Sequence, residues 1–146
     1  MEKNIIQLLM ALAGAFGFAL IFQLKRRFLL TASLGGLLNW GVYLLTFHLS
    51  GEIFISCFIA ATAAALYCEL TAYFMKAPVT LFLVPAVIPS IPGGSLYSTM
   101  RFAVKGDWQT AADFGLETLQ YALAIAAGAC LISILFGILK KIKRMH

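Results

Sequence analysis

The sequence predicts an all-α protein, a polytopic membrane helix bundle of about five transmembrane helices in which the fourth is broken by proline and glycine. Of the 146 residues, 62% are hydrophobic and 12% are charged. That composition leaves too little polar surface to coat a soluble globule of this size. Apolar runs of roughly the 20 residues that a helix needs to cross a bilayer follow one another along the chain, so residues 1–146 form a single membrane domain.

The charge distribution is explained by membrane topology and not by a nucleic-acid partner. Seven of the eleven basic residues lie in two runs beside apolar segments, at positions 25–27 and 140–144. Basic runs of this kind flank membrane spans on the cytoplasmic side. The three cysteines lie within apolar segments and form no C-x-x-C pattern, so neither a disulfide framework nor a metal site is predicted. The predicted surroundings are a lipid bilayer.

The first three spans are predicted at residues 4–24, 28–49 and 53–75. Asn39 falls near the middle of the second span, where an amide must find a partner inside the bundle. A contact between helices is the first interpretation of Asn39, and substrate binding or gating is the alternative. The third span contains the small residues 60–65, which allow another helix to approach closely.

The fourth span, predicted at residues 79–103, is the segment around which the chain is organised. It is bounded or interrupted by all four prolines and by two glycines, namely Pro78, Pro85, Pro89, Pro92, Gly93 and Gly94. A proline inside a helix frees the carbonyl four residues earlier, which here means Leu81, Pro85 and Ile88. Lipid offers such carbonyls no partner, so this backbone must be covered by helices or line a substrate path. Ser95 is the predicted N-cap of a second half-helix.

The fifth span is predicted at residues 114–139, after a polar connection at residues 106–113. Five crossings place eight basic residues on one side of the membrane and three on the other. The distribution of lysine and arginine then predicts an external N-terminus and a cytoplasmic C-terminus. If the fourth segment re-entered instead of crossing, the basic run near the C-terminus would lie outside, which favours a full crossing.

Glu69 is the only acidic residue well inside a predicted span. A carboxylate in hydrocarbon is costly unless it is paired or protonated. Two interpretations stay open: Glu69 binds a substrate ammonium or carries a coupling proton, or it lies near enough to the interface to reach water or to pair with Lys76 or Lys25. No nucleophile elbow, phosphate loop, metal cluster, haem or quinone signature is present in the sequence, so neither an enzyme nor a cofactor is predicted.

A longer motif surrounds the break. Residues 69–97 read E-L-x-A-x-x-x-K-A-P-V-x-x-F-L-V-P-A-x-I-P-x-x-P-G-G-S-L-Y. This run resembles the signature of the threonine/serine exporter family, in its small-subunit or C-terminal membrane half. Gly-Phe-Ala at residues 17–19 and Leu-Gly-Gly-Leu-Leu-Asn-Trp at residues 34–40 are also similar to that half, so the resemblance extends over nearly the whole chain.

The resemblance implies an inner-membrane exporter of small hydrophilic metabolites, either threonine/serine-type amino acids or a dicarboxylate. Full-length members carry a preceding half with a hydrophilic domain that has no counterpart in these residues. The resemblance therefore implies a larger membrane subunit of the same family as partner, or self-association. The positions that match the family pattern are Glu69, Pro78, Pro85, Pro89, Pro92, Gly93, Gly94, Ser95 and Tyr97.

These considerations give a candidate site for substrate binding or gating. Its residues are Asn39, Glu69, Pro85, Pro89, Pro92, Gly93, Gly94, Ser95 and Tyr97. A helix N-terminus at residues 93–95 would bind a substrate carboxylate, while freed carbonyls and Glu69 suit an ammonium. The alternative function is a structural or assembly subunit that stabilises a partner transporter without contacting substrate. A channel is disfavoured because no ring of charge or repeated filter is visible.

Overall fold

A computed structural model describes residues 2–145, which fold into α-helices and one short 3₁₀ helix. In chain order they are α1 (Glu2–Ile21), α2 (Arg26–Ser50), α3 (Ile53–Met75), α4 (Thr80–Val87), the 3₁₀ helix (Ile88–Ser90), α5 (Gly93–Val104) and α6 (Trp108–Met145). No strand occurs within residues 2–145. The predicted all-α class is confirmed.

The helices differ in whether they can cross a membrane alone. By length and composition, α1, α2, α3 and α6 each can. The segments Thr80–Ser90 and Gly93–Val104 pass the same test only as a pair, and the pair is bent by 54°. The described chain therefore has 4 candidate spans, or 5 if the bent pair counts as one. The break predicted from the prolines and glycines of the fourth segment is present.

The most buried helix is α3, which packs against both α2 and α6. Its small residues Ala60, Ala61 and Ala64 are fully buried. On α6, Gly128 lies so close to this surface that a Cβ there would be 2.8 Å from the backbone oxygen of Phe58. The small-residue patch predicted to admit a neighbouring helix does so, because backbones can approach closely where side chains are short.

Two consecutive glycines of α2 bring it close to two other helices. A Cβ on Gly35 would lie 2.9 Å from the Cβ of Ala86 in α4, and a Cβ on Gly36 would lie 2.5 Å from the Cβ of Ala15 in α1. Real Cβ atoms essentially never approach below 3.0 Å. Glycine at both positions therefore lets α2 contact α4 and α1 at backbone distance, and this packing holds α4 inside the bundle.

The start of α6 differs from the sequence-based expectation. The polar connection predicted at residues 106–113 is mostly helical, because α6 begins at Trp108. The Asp107 carboxylate accepts a hydrogen bond from the backbone amide of Thr110 at 3.2 Å, which is the geometry of a helix N-cap. Gly106, with a left-handed φ of 81°, makes the preceding turn. Polar composition indicated a loop here, whereas capping by Asp107 starts the helix several residues before the apolar run.

Candidate functional site at the helix break

The prolines of the broken segment change the helix type and do not merely kink it. Pro85 lies inside α4, Pro89 lies in the 3₁₀ helix, and Pro92 is the N-cap of α5. In a 3₁₀ helix each amide donates to the carbonyl three residues back, not four. Pro89, which has no amide hydrogen, therefore leaves the carbonyl of Ala86 without a donor in this register.

This change of register corrects the expectation about freed carbonyls. The α-helical rule predicted that Pro92 would free the carbonyl of Ile88. Instead, the amide of Ile91 donates to that carbonyl at 3.1 Å. For Pro89, the 3₁₀ register at Ile88–Ser90 places the carbonyl without a donor at Ala86, three residues back, and not at Pro85, four residues back.

Asn39 of α2 supplies the missing donor. Its Nδ2 donates to the carbonyl oxygen of Ala86 at 2.9 Å and to Oγ of Ser90 at 2.8 Å. The Asn39 side chain is fully buried. The amide predicted to need a partner inside the bundle thus bonds to the break itself, and it fixes the 3₁₀ helix against α2.

A pocket of about 140 Å³ opens beside the break. It is lined by Trp40 of α2, by Pro89, Ser90, Ile91, Pro92, Gly93, Gly94 and Ser95 of the break, and by Tyr121 of α6. The first turn of α5 contributes to this lining, and no side chain caps it. Because first-turn amides have no acceptor within their own helix, those of Gly94 and Ser95 are available to a ligand.

The predicted N-cap is wrong. The helix begins at Gly93 with Pro92 as its N-cap, so Ser95 is the third helical residue. Proline has a φ already close to the helical value and needs no donor at a helix start. The helix therefore begins directly after the last proline, before the chain reaches the serine.

Gly93 and Gly94 have open space where a side chain would be. A Cβ built on either residue meets nothing within 4 Å. Glycine in a helix costs about 1 kcal/mol relative to alanine, and neither residue has a positive φ. No described atom of this chain requires glycine at these two positions, in contrast to Gly35 and Gly36.

Trp40 and Tyr121 line the pocket but are not among the residues predicted from the sequence. The indole Nε1 of Trp40 is buried and has no hydrogen-bond partner among the described residues, and the same holds for Oδ1 of Asn39. The hydroxyls of Tyr121 and Tyr43 lie 2.7 Å apart. Trp40 follows Asn39 directly and could have been found from it. No sequence signal places Tyr121 beside the break, because its position depends on how α6 packs.

Four of the predicted site residues, Asn39, Glu69, Pro85 and Tyr97, are not in the lining of this pocket. Glu69 is buried in α3, with 5% of its surface exposed, so it faces the bundle interior and not lipid or water. Tyr97 points away from the bundle and is 67% exposed. Pro85 is fully buried in α4 and lines a different pocket, of about 230 Å³. The structure therefore brings together Pro89, Pro92, Gly93, Gly94 and Ser95, with Asn39 bonded to them through Ser90.

Comparison with known proteins gives one match. The family model described as "Threonine/Serine exporter, ThrE" matches residues 7–135. No curated protein and no solved structure matches the chain. The matched range includes the break, its pocket and all of the predicted site residues. With apolar helices able to cross a bilayer several times, the chain is a multi-pass membrane protein, and it belongs to the threonine/serine exporter family.

Proposed function

We propose that this chain is a subunit of an inner-membrane exporter of small hydrophilic metabolites, either threonine/serine-type amino acids or a dicarboxylate, and that it works with a larger membrane subunit of the same family. The observation that carries the proposal is the uncapped first turn of α5, which opens into the pocket at the break. Irregular backbone that lines a cavity at a broken helix is how many membrane transporters bind polar solutes.

The pocket suits a carboxylate, which both substrate classes carry. The N-terminus of a helix has the effect of roughly half a positive charge and presents amides that point outward. Gly93 and Gly94 leave the approach to those amides free of side chains. A carboxylate at this position would accept hydrogen bonds from the first turn of α5, and no cation is needed to hold it.

Glu69 has a separate role in this proposal. Its carboxyl lies inside the bundle, and it is not among the residues that line the pocket. A group in that position affects export by exchanging a proton during the transport cycle, or by meeting the substrate ammonium in another conformation. We favour the proton, because a proton needs no direct access from the pocket to α3.

The proposed larger subunit would cover α5. None of the side chains of α5 is buried, and Leu96, Tyr97 and Met100 are each more than half exposed. A helix that contributes to a pocket yet has no fully buried side chain in its own chain is well placed at a subunit interface. Self-association would cover the same surface.

The orientation proposed here is an external N-terminus and a cytoplasmic C-terminus in the bacterial inner membrane. It follows from the basic residues, which cluster at positions 25–27 and 140–144. Single cysteines introduced at Asp107 and Lys141, in a chain without its natural cysteines, test it with a membrane-impermeant reagent. Asp107→Cys should react from outside and Lys141→Cys only from inside. Reaction of both from one side would overturn the five-crossing arrangement.

The function itself is tested by efflux. Cells that lack the chain should export less threonine, serine or succinate than cells that regain it, and proteoliposomes that hold the partner alone should transport less than those that hold both. The second candidate function, an assembly subunit, is favoured by one observation: Asn39 makes the break part of the packed bundle. If the chain raised only the amount of partner in the membrane, with unchanged flux per partner molecule, the assembly role would replace the transport role.

A further inference from the structure

The contact between α1 and α2 is made by small residues. Ala11, Ala15 and Ala19, which are spaced by four along α1, are buried. A Cβ on Gly36 of α2 would lie 2.5 Å from the Cβ of Ala15. Small residues let two helix backbones approach this closely. Longer side chains of both helices lie beside the contact, and there they form the walls of a groove.

This α1–α2 groove has a volume of about 430 Å³. Its apolar walls are Leu9, Leu12, Ala13 and Phe16 of α1 and Leu30 and Leu34 of α2. Ser33 also lines it, but the Ser33 hydroxyl donates to the carbonyl of Leu29 in its own helix at 2.8 Å. The volume is in the range of ligand-binding pockets. An apolar ligand fits such a groove, whereas a small hydrophilic metabolite would find almost no hydrogen-bonding partner in it.

The connection between the two helices carries three basic residues close to the groove. Lys25, Arg26 and Arg27 are all exposed. No acidic residue occurs in residues 3–50, so neither helix supplies a carboxylate beside these charges. Leu30, in the groove wall, follows Arg26 by four residues and Arg27 by three, and residues at these spacings share one face of a helix. Four residues correspond to about 6 Å along the helix axis, so the basic residues lie one turn from the groove.

We propose that the α1–α2 groove binds an acyl chain of an anionic phospholipid whose phosphate lies against Arg26 and Arg27. A guanidinium presents N–H donors in a fork that matches the oxygens of a phosphate. Basic pockets between membrane helices bind the headgroups of anionic lipids in this way. Charge complementarity favours such a lipid over a zwitterionic one, and over a helix of another subunit, which brings no phosphate.

This site is separate from the pocket at the helix break. The groove and the break pocket share no lining residue. Membrane topology accounts for basic residues at the end of a span, but it does not account for an apolar groove that begins one turn away from them. The lipid site therefore does not depend on the proposed export function, and each can be tested without the other.

Native mass spectrometry of the purified full chain measures lipid binding directly. The probes are phosphatidylglycerol and phosphatidylcholine with identical acyl chains, and glycerol 3-phosphate, which carries a phosphate but no acyl chain. We expect one saturable adduct with phosphatidylglycerol, weaker binding of phosphatidylcholine, and no adduct with glycerol 3-phosphate. Equal affinity for the two lipids would overturn the role of the arginines. An adduct with glycerol 3-phosphate of equal affinity would overturn the role of the groove.

Charge variants test whether the basic residues at the groove are the ones that bind. Arg26→Gln and Arg27→Gln should each weaken phosphatidylglycerol binding by roughly five-fold, the effect of one basic residue near a membrane surface. Lys141→Gln is the matched control, because Lys141 is exposed on α6, which packs chiefly on α3 and α5. It should leave the affinity unchanged. Equal weakening by all three variants would mean a general attraction to anionic lipid and would overturn the site.

A variant that fills the groove tests the position of the acyl chain. Ala13→Phe should weaken phosphatidylglycerol binding by roughly ten-fold, the effect of excluding about two methylene groups. Ala126→Phe, at an exposed position of α6, is the matched control and should bind as the wild type does. Ala13→Leu fills less of the groove and should have a smaller effect, so it replaces Ala13→Phe if that variant gives no cooperative unfolding transition in detergent. Unchanged binding by the folded variants, or a changed oligomeric mass without loss of lipid, would show that the groove is not a lipid site.

Discussion

The two halves of the broken segment, α4 and α5, are packed in opposite ways although the sequence predicted them as parts of one span. In α4, Phe82, Pro85 and Ala86 are buried against α2 and α3. In α5 no side chain is buried, and its contacts are chiefly with α6. The difference between the halves teaches that the proline inside α4, Pro85, is packed within the chain, whereas the glycines of α5 have no packing partner there.

The contacts that hold each half explain how they can differ in mobility. Phe82 packs edge-on against Phe28, with ring centroids 5.5 Å apart, and Gly35 lets α2 contact Ala86 directly. On the other side, α5 is held to α6 by the stacking of Phe102 on Phe114, with centroids 5.7 Å apart. Since segments with few buried contacts open at lower free energy, α5 can move relative to the bundle at less cost than α4. The first turn of α5, which lines the pocket, is therefore more weakly held than α4.

The largest expected effect comes from placing side chains on the first turn of α5, where the two glycines leave the approach to the backbone amides open. Gly93→Leu and Gly94→Leu should abolish efflux, because each puts a side chain where the ligand would approach the amides of α5. Stability should not fall, because a Cβ at either position meets nothing within 4 Å and leucine is the better helix former. Efflux from cells and thermal unfolding in detergent measure the two quantities.

The matched control for these variants is Gly35, a glycine of α2 that packs against α4. Gly35→Ala places a Cβ 2.9 Å from that of Ala86 and should cost about 1–3 kcal/mol in unfolding free energy, the usual effect of overpacking. Wild-type efflux by both leucine variants would remove this turn of α5 from the substrate site.

The next effect concerns the residue that binds α4 to the rest of the bundle. Asn39→Leu removes both hydrogen bonds to the break and leaves the carbonyl of Ala86 buried without a donor. We expect a loss of about 1–3 kcal/mol in stability, with loss of efflux. Thr99→Val, which removes the hydrogen bond to the Ser95 carbonyl on α5, should cost less, because a threonine that bonds to the carbonyl four residues earlier in its own helix adds little to stability. Equal losses of stability from Asn39→Leu and Thr99→Val would contradict the inference that α4 is held more firmly than α5.

A smaller effect is expected from Glu69, which lies on α3 and outside the pocket lining. Glu69→Gln keeps the shape of the side chain and removes its ability to ionise. If Glu69 exchanges a coupling proton, efflux should fall and lose part of its dependence on pH while the thermal stability stays close to that of the wild type. Efflux measured across a pH series checks this, with Glu117→Gln at the start of the apolar part of α6 as control. Unchanged flux for Glu69→Gln would assign the residue to packing alone.

The sequence predicted those features of this region that depend on composition and on single residues. Prolines and glycines predicted the break, and the mid-membrane position of Asn39 predicted a partner inside the bundle; both are present. The features that it did not predict depend on hydrogen-bond register and on packing. The α-helical rule pointed to Leu81, Pro85 and Ile88 as free carbonyls, whereas in the structure Ile88 has a donor and the 3₁₀ geometry makes Ala86 the carbonyl that Pro89 leaves without one.

The same limit applies to the members of the site. Motif membership grouped Glu69 and Tyr97 with the break because they are near it in the chain, yet one is buried in α3 and the other is 67% exposed. Trp40 and Tyr121 line the pocket because α2 and α6 pack beside α4 and α5. Proximity along the chain predicts the backbone of such a site better than it predicts the side chains that enclose it.

The smallest change in stability is expected from Pro89→Ala, and it tests whether the bend is maintained for function. Alanine restores an amide that can donate to Ala86, but Asn39 already donates to that carbonyl at 2.9 Å. The substitution would also remove a proline ring that lies against α2, where a Cβ on Gly36 would be 3.4 Å from it. The gain in helix propensity, up to about 3 kcal/mol in an isolated helix, should therefore be largely offset, leaving a net change below about 1 kcal/mol.

Efflux should respond more strongly than stability to this substitution. The 54° bend lies between Ser90 and Gly93 and would keep Pro92. An α-helical turn in place of the 3₁₀ turn at Ile88–Ser90 would, however, change the direction in which the chain enters the bend and move the first turn of α5 relative to Trp40. We therefore expect impaired efflux in a variant about as stable as the wild type, which is the pattern of local strain retained for function. Thermal unfolding in detergent and efflux from cells, measured on the same variant, give the answer. A parallel fall in both would mean that the bend serves packing, and the assembly role would then account better for the break.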